Sequence, residues 1–141
     1  MIRLQLVTLT GKKFDDDVYE VVLPTLDGEI GVLQNHMPLV SAAKTGVISI
    51  RRHEKDSDAS MEHFATNGGV IEVHDNVLRV LVDEADHADE INEAEAKAAL
   101  DRAQKLKAEA KDEVSLEKAQ TLVDRSAVRL QVANLKRRPR R

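Results

Sequence analysis

The residues able to do acid–base or metal chemistry in this chain are numerous, but their spacing organises none of it. His36, His53, His63, His74 and His87 are scattered without the short intervals of a zinc site, and there is no cysteine to supply a thiolate or a disulfide. Asn67-Gly68-Gly69 is a glycine turn, but no Lys-Ser or Lys-Thr pair follows it as in a phosphate loop. No Ser/His/Asp grouping and no isolated pair of carboxylates suggests nucleophilic or general acid–base catalysis. Asp15-Asp16-Asp17 would suit a cation or a basic partner, yet such a run reads first as a solvated turn. What remains is recognition by charge. Lys118, Arg125, Arg129 and Lys136 step by seven, four and seven, so they share one face of a helix. Leu122 and Val132 fall close to that face, and a partly apolar, partly basic face suits a partner better than water. Lys136-Arg137-Arg138-Pro139-Arg140-Arg141 adds a basic tail open to an acidic subunit, an anionic lipid or RNA.

Two modules of opposite periodicity must position these residues. Ile2, Leu4 and Leu6 alternate with Arg3 and Gln5, the period of a half-buried strand. Val18–Leu23 reads as a second strand closed by Pro24, and Val47–Arg51 as a third opened by Gly46. Val70–Val73 and Val77–Val82 flank His74-Asp75-Asn76 as a hairpin. Asp27-Gly28 is a turn, Gly31 a further break, and His53–Ser60 an exposed loop. Many short strands with frequent turns predict an antiparallel β-sandwich, or flattened barrel, over residues 1–86. From residue 87 to 141 glycine is absent and alanine frequent. Asp89 is a candidate helix N-cap. Ala96, Ala99, Ala103, Leu106 and Ala110 form one apolar stripe, and Leu116, Ala119, Val123, Ala127 and Leu130 a second. The stripes align only if the helix breaks near Lys111–Ser115 with Asp112 capping the second segment, which predicts an antiparallel helical hairpin. The break has neither glycine nor proline, so opening into a longer bent helix is expected to cost little. The whole is an α+β chain.

Charge divides along the same line. Residues 1–86 carry 8 basic and 15 acidic side chains, a net of -7, and residues 87–141 carry 13 and 10, a net of +3. Aromatic residues are 2% of the chain, too few for base-stacking platforms, which disfavours nucleic acid as a partner.

The segment Leu23–Val40 carries a specific resemblance. Asp27, Gly28, Glu29, Gly31, His36, Pro38, Leu39 and Val40 stand in a "DGE-x-G-x-x-x-x-H-x-P-L-V/L" order. That run resembles the epsilon subunit of bacterial and chloroplast F-type ATP synthases, and the order of modules resembles it too. The resemblance implies a non-catalytic central-stalk subunit whose sandwich docks on the gamma subunit and the c-ring. It places Asp27, Gly28, Glu29, Gly31 and His36 at that contact. It implies that the hairpin regulates, extending into the alpha/beta head to restrain ATP hydrolysis, with Lys118, Arg125, Arg129 and Lys136 meeting the beta subunit. Some members of the family bind ATP through an "I/L-D-x-x-R-A" motif. Here the matching stretch is Ile91-Asn92-Glu93-Ala94-Glu95-Ala96, with Asn92 for the aspartate and Glu95 for the arginine. A glutamate there repels a polyphosphate, so weak or absent ATP binding is expected. No cofactor is expected, and the scattered histidines predict no metal. The resemblance further implies a peripheral protein, held by other subunits on the cytoplasmic side of a bacterial plasma membrane, or on the stromal side of a thylakoid. The rival reading, from a different class, is a free-standing adaptor or nucleic-acid-binding module that uses the basic tail.

Overall fold

The computed structural model describes residues 1–136, so the basic tail beyond Lys136 lies outside the described residues. Ten strands precede two helices: β1 (Ile2–Thr8), β2 (Gly11–Val18), β3 (Glu20–Thr25), β4 (Gly28–Leu33), β5 (Leu39–Ala43), β6 (Gly46–Arg51), β7 (Glu62–Thr66), β8 (Gly69–His74), β9 (Val77–Val82), β10 (Ala85–His87), α1 (Glu93–Glu109) and α2 (Glu113–Lys136). The strands form one ladder in the order β10-β7-β6-β3-β5-β8-β9-β1-β2, with β4 attached to β3. Every pairing is antiparallel except β1 with β9, which is parallel. The ladder changes direction at β3. Glu20, Val21 and Val22 pair with β6, while Thr25 pairs with Ala43 of β5. Folding there makes a β-sandwich that closes nearly into a barrel.

Its interior is aliphatic. Ile2, Leu4, Leu6, Val18, Val21, Leu23, Val32, Ile48, Ile50, Ile71, Leu78 and Val80 are fully buried, each contributing about 1.5–3 kcal/mol of transfer free energy. Phe14 meets Phe64 edge-on at 6.3 Å between ring centres. The alternation of Ile2, Leu4 and Leu6 reappears as the strictly alternating burial of β1. Asp75 and Asn76 close the β8–β9 hairpin with φ of 50° and 60°, the left-handed pair that a two-residue turn needs.

Three local readings are corrected. The run Val18–Leu23 is two strands, because the Tyr19 N–H leaves the ladder to donate to the carbonyl of Arg51 at 3.0 Å. Pro24 and Gly31 are not breaks. Pro24 lies inside β3 opposite Glu29, and Gly31 lies inside β4 opposite Val22. Asp15, Asp16 and Asp17 are not a turn but the outer half of β2, which ends the ladder. Arg3 and Lys12 bind Asp15 at 2.9 and 3.1 Å, and Arg52 reaches Asp16 at 3.2 Å. The two cations hold the Asp15 carboxyl below its ordinary pKa, chiefly through the Lys12 and Arg3 hydrogen bonds. Acids along a terminal strand also discourage edge-to-edge association.

The helical hairpin is present, with its first cap shifted. Asn92, not Asp89, caps α1, its side-chain oxygen accepting from the Glu95 N–H at 3.0 Å. Asp89 sits in a single 3-10 turn, Ala88–Glu90, that joins β10 to the hairpin. Asp112 caps α2 as expected, accepting from the Ser115 N–H at 2.6 Å, and these hydrogen bonds hold its carboxyl below the ordinary value. The interruption is narrower than expected, because Ser115 already lies within α2.

The buried face of α2 is also a different one. Ala119, Ser126, Val132 and Ala133 are buried, while Leu116 is exposed, as is Ala127, and Val123 and Leu130 are only half-buried. Ala119, Ser126 and Ala133 are seven apart and form one seam of small residues. The expected stripe shares Ala119 with this seam but passes over Ser126, a polar residue that an apolar pattern does not count.

Candidate functional site

β3 and β4 carry the first candidate site. Leu26 and Asp27 form the turn between them, and Gly28 leaves it at φ 115°, a value that side-chain-bearing residues rarely adopt. Asp27, Gly28, Glu29 and Gly31 are all exposed, and Glu29, Gly31 and Leu33 share the outer face of β4. Nothing inside the chain demands glycine at 31: an added Cβ would meet only a Glu20 carboxylate oxygen at 3.7 Å.

His36 is not brought to this turn. It lies past the far end of β4, roughly 17 Å away at ~3.4 Å per strand residue. Its Nδ1 lies 2.8 Å from the Met37 carbonyl and its N–H donates to Leu33, so it builds a local turn. Beside it, the Asn35 N–H donates to the Asn76 side chain, which in turn donates to the Met1 carbonyl.

The sequence reading missed an apolar surface. Ala42 pairs with Val70, Val70 with Leu81, and Leu81 with Val7, an outward-facing row across β5, β8, β9 and β1. Val70 and Leu81 remain 45% and 43% exposed, and nearby Val40 is 74% exposed. The signal was present in Val77–Val82. A strand in which only Arg79 interrupts the apolar residues has two faces to cover, and the core covers one.

The basic residues of α2 divide. Lys118 and Lys136 are exposed. Arg125 and Arg129 instead turn toward the sandwich. Arg125 binds Glu84, in the β9–β10 connection, and Arg129 lies 3.8 Å from Asp86 of β10. The Nε of Arg129 is buried with no acceptor. Beneath these pairs lies a small apolar cluster of Ala65, Ala88, Ile91, Ala96, Val132 and Ala133. His87 is a further link between the modules. Its ring meets Phe64 edge-on at 5.0 Å, Nδ1 accepts from the Asp89 N–H, and Nε2 faces Glu62 at 3.3 Å. Burial pushes the Glu62 carboxyl up, but its hydrogen bond and charge pairing with Arg52, aided by His87, outweigh that and leave it lowered.

Among the described residues no group of His, Asp and Glu is arranged to hold a metal, and no helix is long and apolar enough to cross a membrane. The candidate features are surfaces: an acidic turn, an apolar sheet face and a helical hairpin ion-paired to the sandwich through Arg125 and Arg129. The chain is a β-sandwich followed by a helical hairpin, with exposed acidic and apolar surfaces.

The comparisons agree with that class and narrow it. Residues 1–88 match the family described as "ATP synthase, Delta/Epsilon chain, beta-sandwich domain". An ATP synthase epsilon chain from a Sulfurihydrogenibium species is 38% identical over 137 residues, 96% of this chain and 99% of the relative. One from Staphylococcus aureus is 34% identical over 136 residues, 96% of this chain and 98% of the relative. In fold, the chain is similar to one in the Euglena gracilis mitochondrial ATP synthase, a structure of OSCP, F1 and c-ring. The TM-score is 0.79 at 21% identity, covering 94% of this chain and 81% of that one. The chain belongs to the epsilon subunits of the F-type ATP synthases.

The ATP motif of some relatives can be tested against this geometry. A groove of about 410 Å³ between α1 and α2 is lined by Arg102, Arg125, Arg129 and Glu95. Two of its three arginines face Glu84 and Asp86, and Glu95 adds a carboxylate, so these residues do not fit a polyphosphate. Calorimetry of the chain with ATP at micromolar concentrations is expected to show no binding. Glu95→Arg is expected to gain affinity on the order of tenfold. Micromolar binding by the unaltered chain would overturn this expectation.

Proposed function

We propose that residues 1–86 couple the gamma subunit to the c-ring for proton-driven ATP synthesis, and that residues 87–141 restrain ATP hydrolysis. The apolar row Ala42–Val70–Leu81–Val7, with Val40, is the observation that carries the first half, because an exposed sheet face of this kind needs a partner. Gamma is assigned to that face. Asp27, Gly28, Glu29 and Gly31 are assigned to the polar loops of the c-ring. A carboxylate on a protruding turn suits a basic loop, and the open space at Gly31 lets a partner backbone approach. His36 is assigned a supporting role at the opposite end of β4, shaping the loop that leads into Val40.

The helical half acts through Lys118, Arg125, Arg129 and Lys136 on the beta subunit in the alpha/beta head. The chain contributes no catalytic group and no cofactor to the synthase. It sits at the cytoplasmic side of a bacterial plasma membrane, or the stromal side of a thylakoid, held there by other subunits.

Co-purification with gamma tests the docking face. The unaltered chain is expected to hold gamma through a high-salt wash, because an apolar contact is not screened. Val70→Glu with Leu81→Glu is expected to weaken the complex roughly a hundredfold, ~1–2 kcal/mol at each of two central positions. The rival, a nucleic-acid-binding adaptor, is the reading to adopt if gamma is not retained and the chain instead loses nucleic acid steeply with salt.

A further inference from the structure

We propose that Glu84 and Asp86 are a built-in latch that keeps the hairpin down by occupying Arg125 and Arg129, two of the side chains with which helix two would meet an acidic partner. This rests on the braking role proposed above and adds to it what holds the brake off. Carboxylates of the chain itself stand in for carboxylates of the partner, so release is an exchange of one acidic set for another.

Four observations support it. The acidic side is fixed in place. The Asn67 N–H donates to the Glu84 carbonyl, and Asp86 is held in β10 by pairing with Ala65 of β7. The pairs are accessible rather than sealed: Glu84 and Arg125 are 47% and 35% exposed at their side chains, and Asp86 and Arg129 28% and 36%. Water and a competing carboxylate can therefore reach them. Arg129 is incompletely satisfied, because its Asp86 contact is long and its Nε lacks an acceptor, so a partner that supplies one gains by the exchange. Finally, four of the six buried residues under the pairs are alanines, and the larger Val47, Val128 and Leu130 are only partly buried against them. A small apolar area leaves the charge pairs a large share in choosing between closed and open.

The sandwich makes other ties to the start of the hairpin. Lys13 binds Glu90 at 3.3 Å, and His87 bridges Glu62 and Asp89. These lie before Ile91, so they anchor the connection and leave α2 free to swing about it.

The test is hydrogen exchange on the full chain, read at the amides of Arg125–Ala133. Glu84→Gln with Asp86→Asn keeps the shapes and removes both charges. Exchange is expected to rise roughly threefold to tenfold there, as for the loss of two half-exposed ion pairs, with the amides of β1 and β9 unchanged. Unchanged exchange in α2 overturns the latch. The charge-reversed chain, Glu84→Arg and Asp86→Arg with Arg125→Glu and Arg129→Glu, is expected to regain protection. Failure to regain it, with β1 and β9 intact, also overturns the latch. The assembled complex separates the latch from the brake. Glu84→Gln with Asp86→Asn should lower ATP hydrolysis, since the arginines are released to the head, whereas the charge-reversed chain should raise it. Faster exchange in α2 with unaltered hydrolysis keeps the latch and overturns the braking role.

Discussion

Ending the chain after Ala88 is expected to raise ATP hydrolysis by the assembled synthase roughly 5- to 150-fold, the span of a coupling free energy of ~1–3 kcal/mol. The large effect rests on separability. Every member of the main core cluster lies between Ile2 and Ala85, so the sandwich keeps its interior when the helices are removed. Stopping after Ala88 also keeps β10 whole, including the contact of His87 with Phe64. What is lost is α1, α2 and the small cluster of Ala65 with Ile91, Ala96, Val132 and Ala133. Ala65 becomes solvent-exposed, a modest change. Assembly with gamma should therefore survive, and the rate then reports the hairpin alone. The measurement is steady-state hydrolysis by complexes matched for subunit content. An unchanged rate with assembly intact would sink the braking role and leave the sandwich as the coupling piece.

Gly69→Ala is expected to cost the fold ~3 kcal/mol and to lower the melting temperature by roughly 12–24 °C. Asn67-Gly68-Gly69 looks in sequence like a turn, and Gly69 in fact opens β8 against β9. A Cβ at 69 would stand 2.0 Å from the Leu81 carbonyl oxygen and 2.9 Å from its carbon, both backbone atoms of the paired strand. No rotamer relieves that contact, so the β8–β9 ladder must move, and with it the buried Ile71 and Val80. Gly31→Ala is the matched control. Its only neighbour within reach is the Glu20 carboxylate at 3.7 Å, so thermal denaturation should place it near the unaltered chain. Equal losses for the two substitutions would show that the close approach at Leu81 is not what requires glycine at 69.

Residue 31 thereby gains a functional meaning that stability alone does not supply. The resemblance puts a glycine in the recognition run at this place, yet the fold has room for a side chain. The open space on the outer face of β4 is what the proposed c-ring contact would use. The same reasoning separates Gly28, whose φ of 115° makes it a requirement of the turn itself.

Features governed by neighbours along the chain were legible in the sequence. The alternation of Ile2, Leu4 and Leu6, the hairpin around Asp75-Asn76, the cap at Asp112 and the change from strand to helix after β10 all depend on a few consecutive residues. Those residues determine backbone torsion and the side chain's face together. The family likeness in Leu23–Val40 was legible too, as word order rather than as chemistry. Tertiary structure alone decided the rest. Asp15-Asp16-Asp17 reads as a solvated turn until antiparallel pairing with Arg3, Leu4 and Gln5 of β1 makes it a strand. Asn92 takes the cap from Asp89 because β10 and its 3-10 turn consume the residues up to Glu90. His36 and Asp27 look like one site on paper, but the six extended residues of β4 set them at opposite ends. The arginines of α2 look free because a helix pattern shows which side chains share a face and not what that face meets. Glu84 and Asp86 are about forty residues away in sequence. Only the packing of α2 on β6 and β7 brings opposite charges together, and a periodic pattern along one segment holds no information about a partner contributed by another.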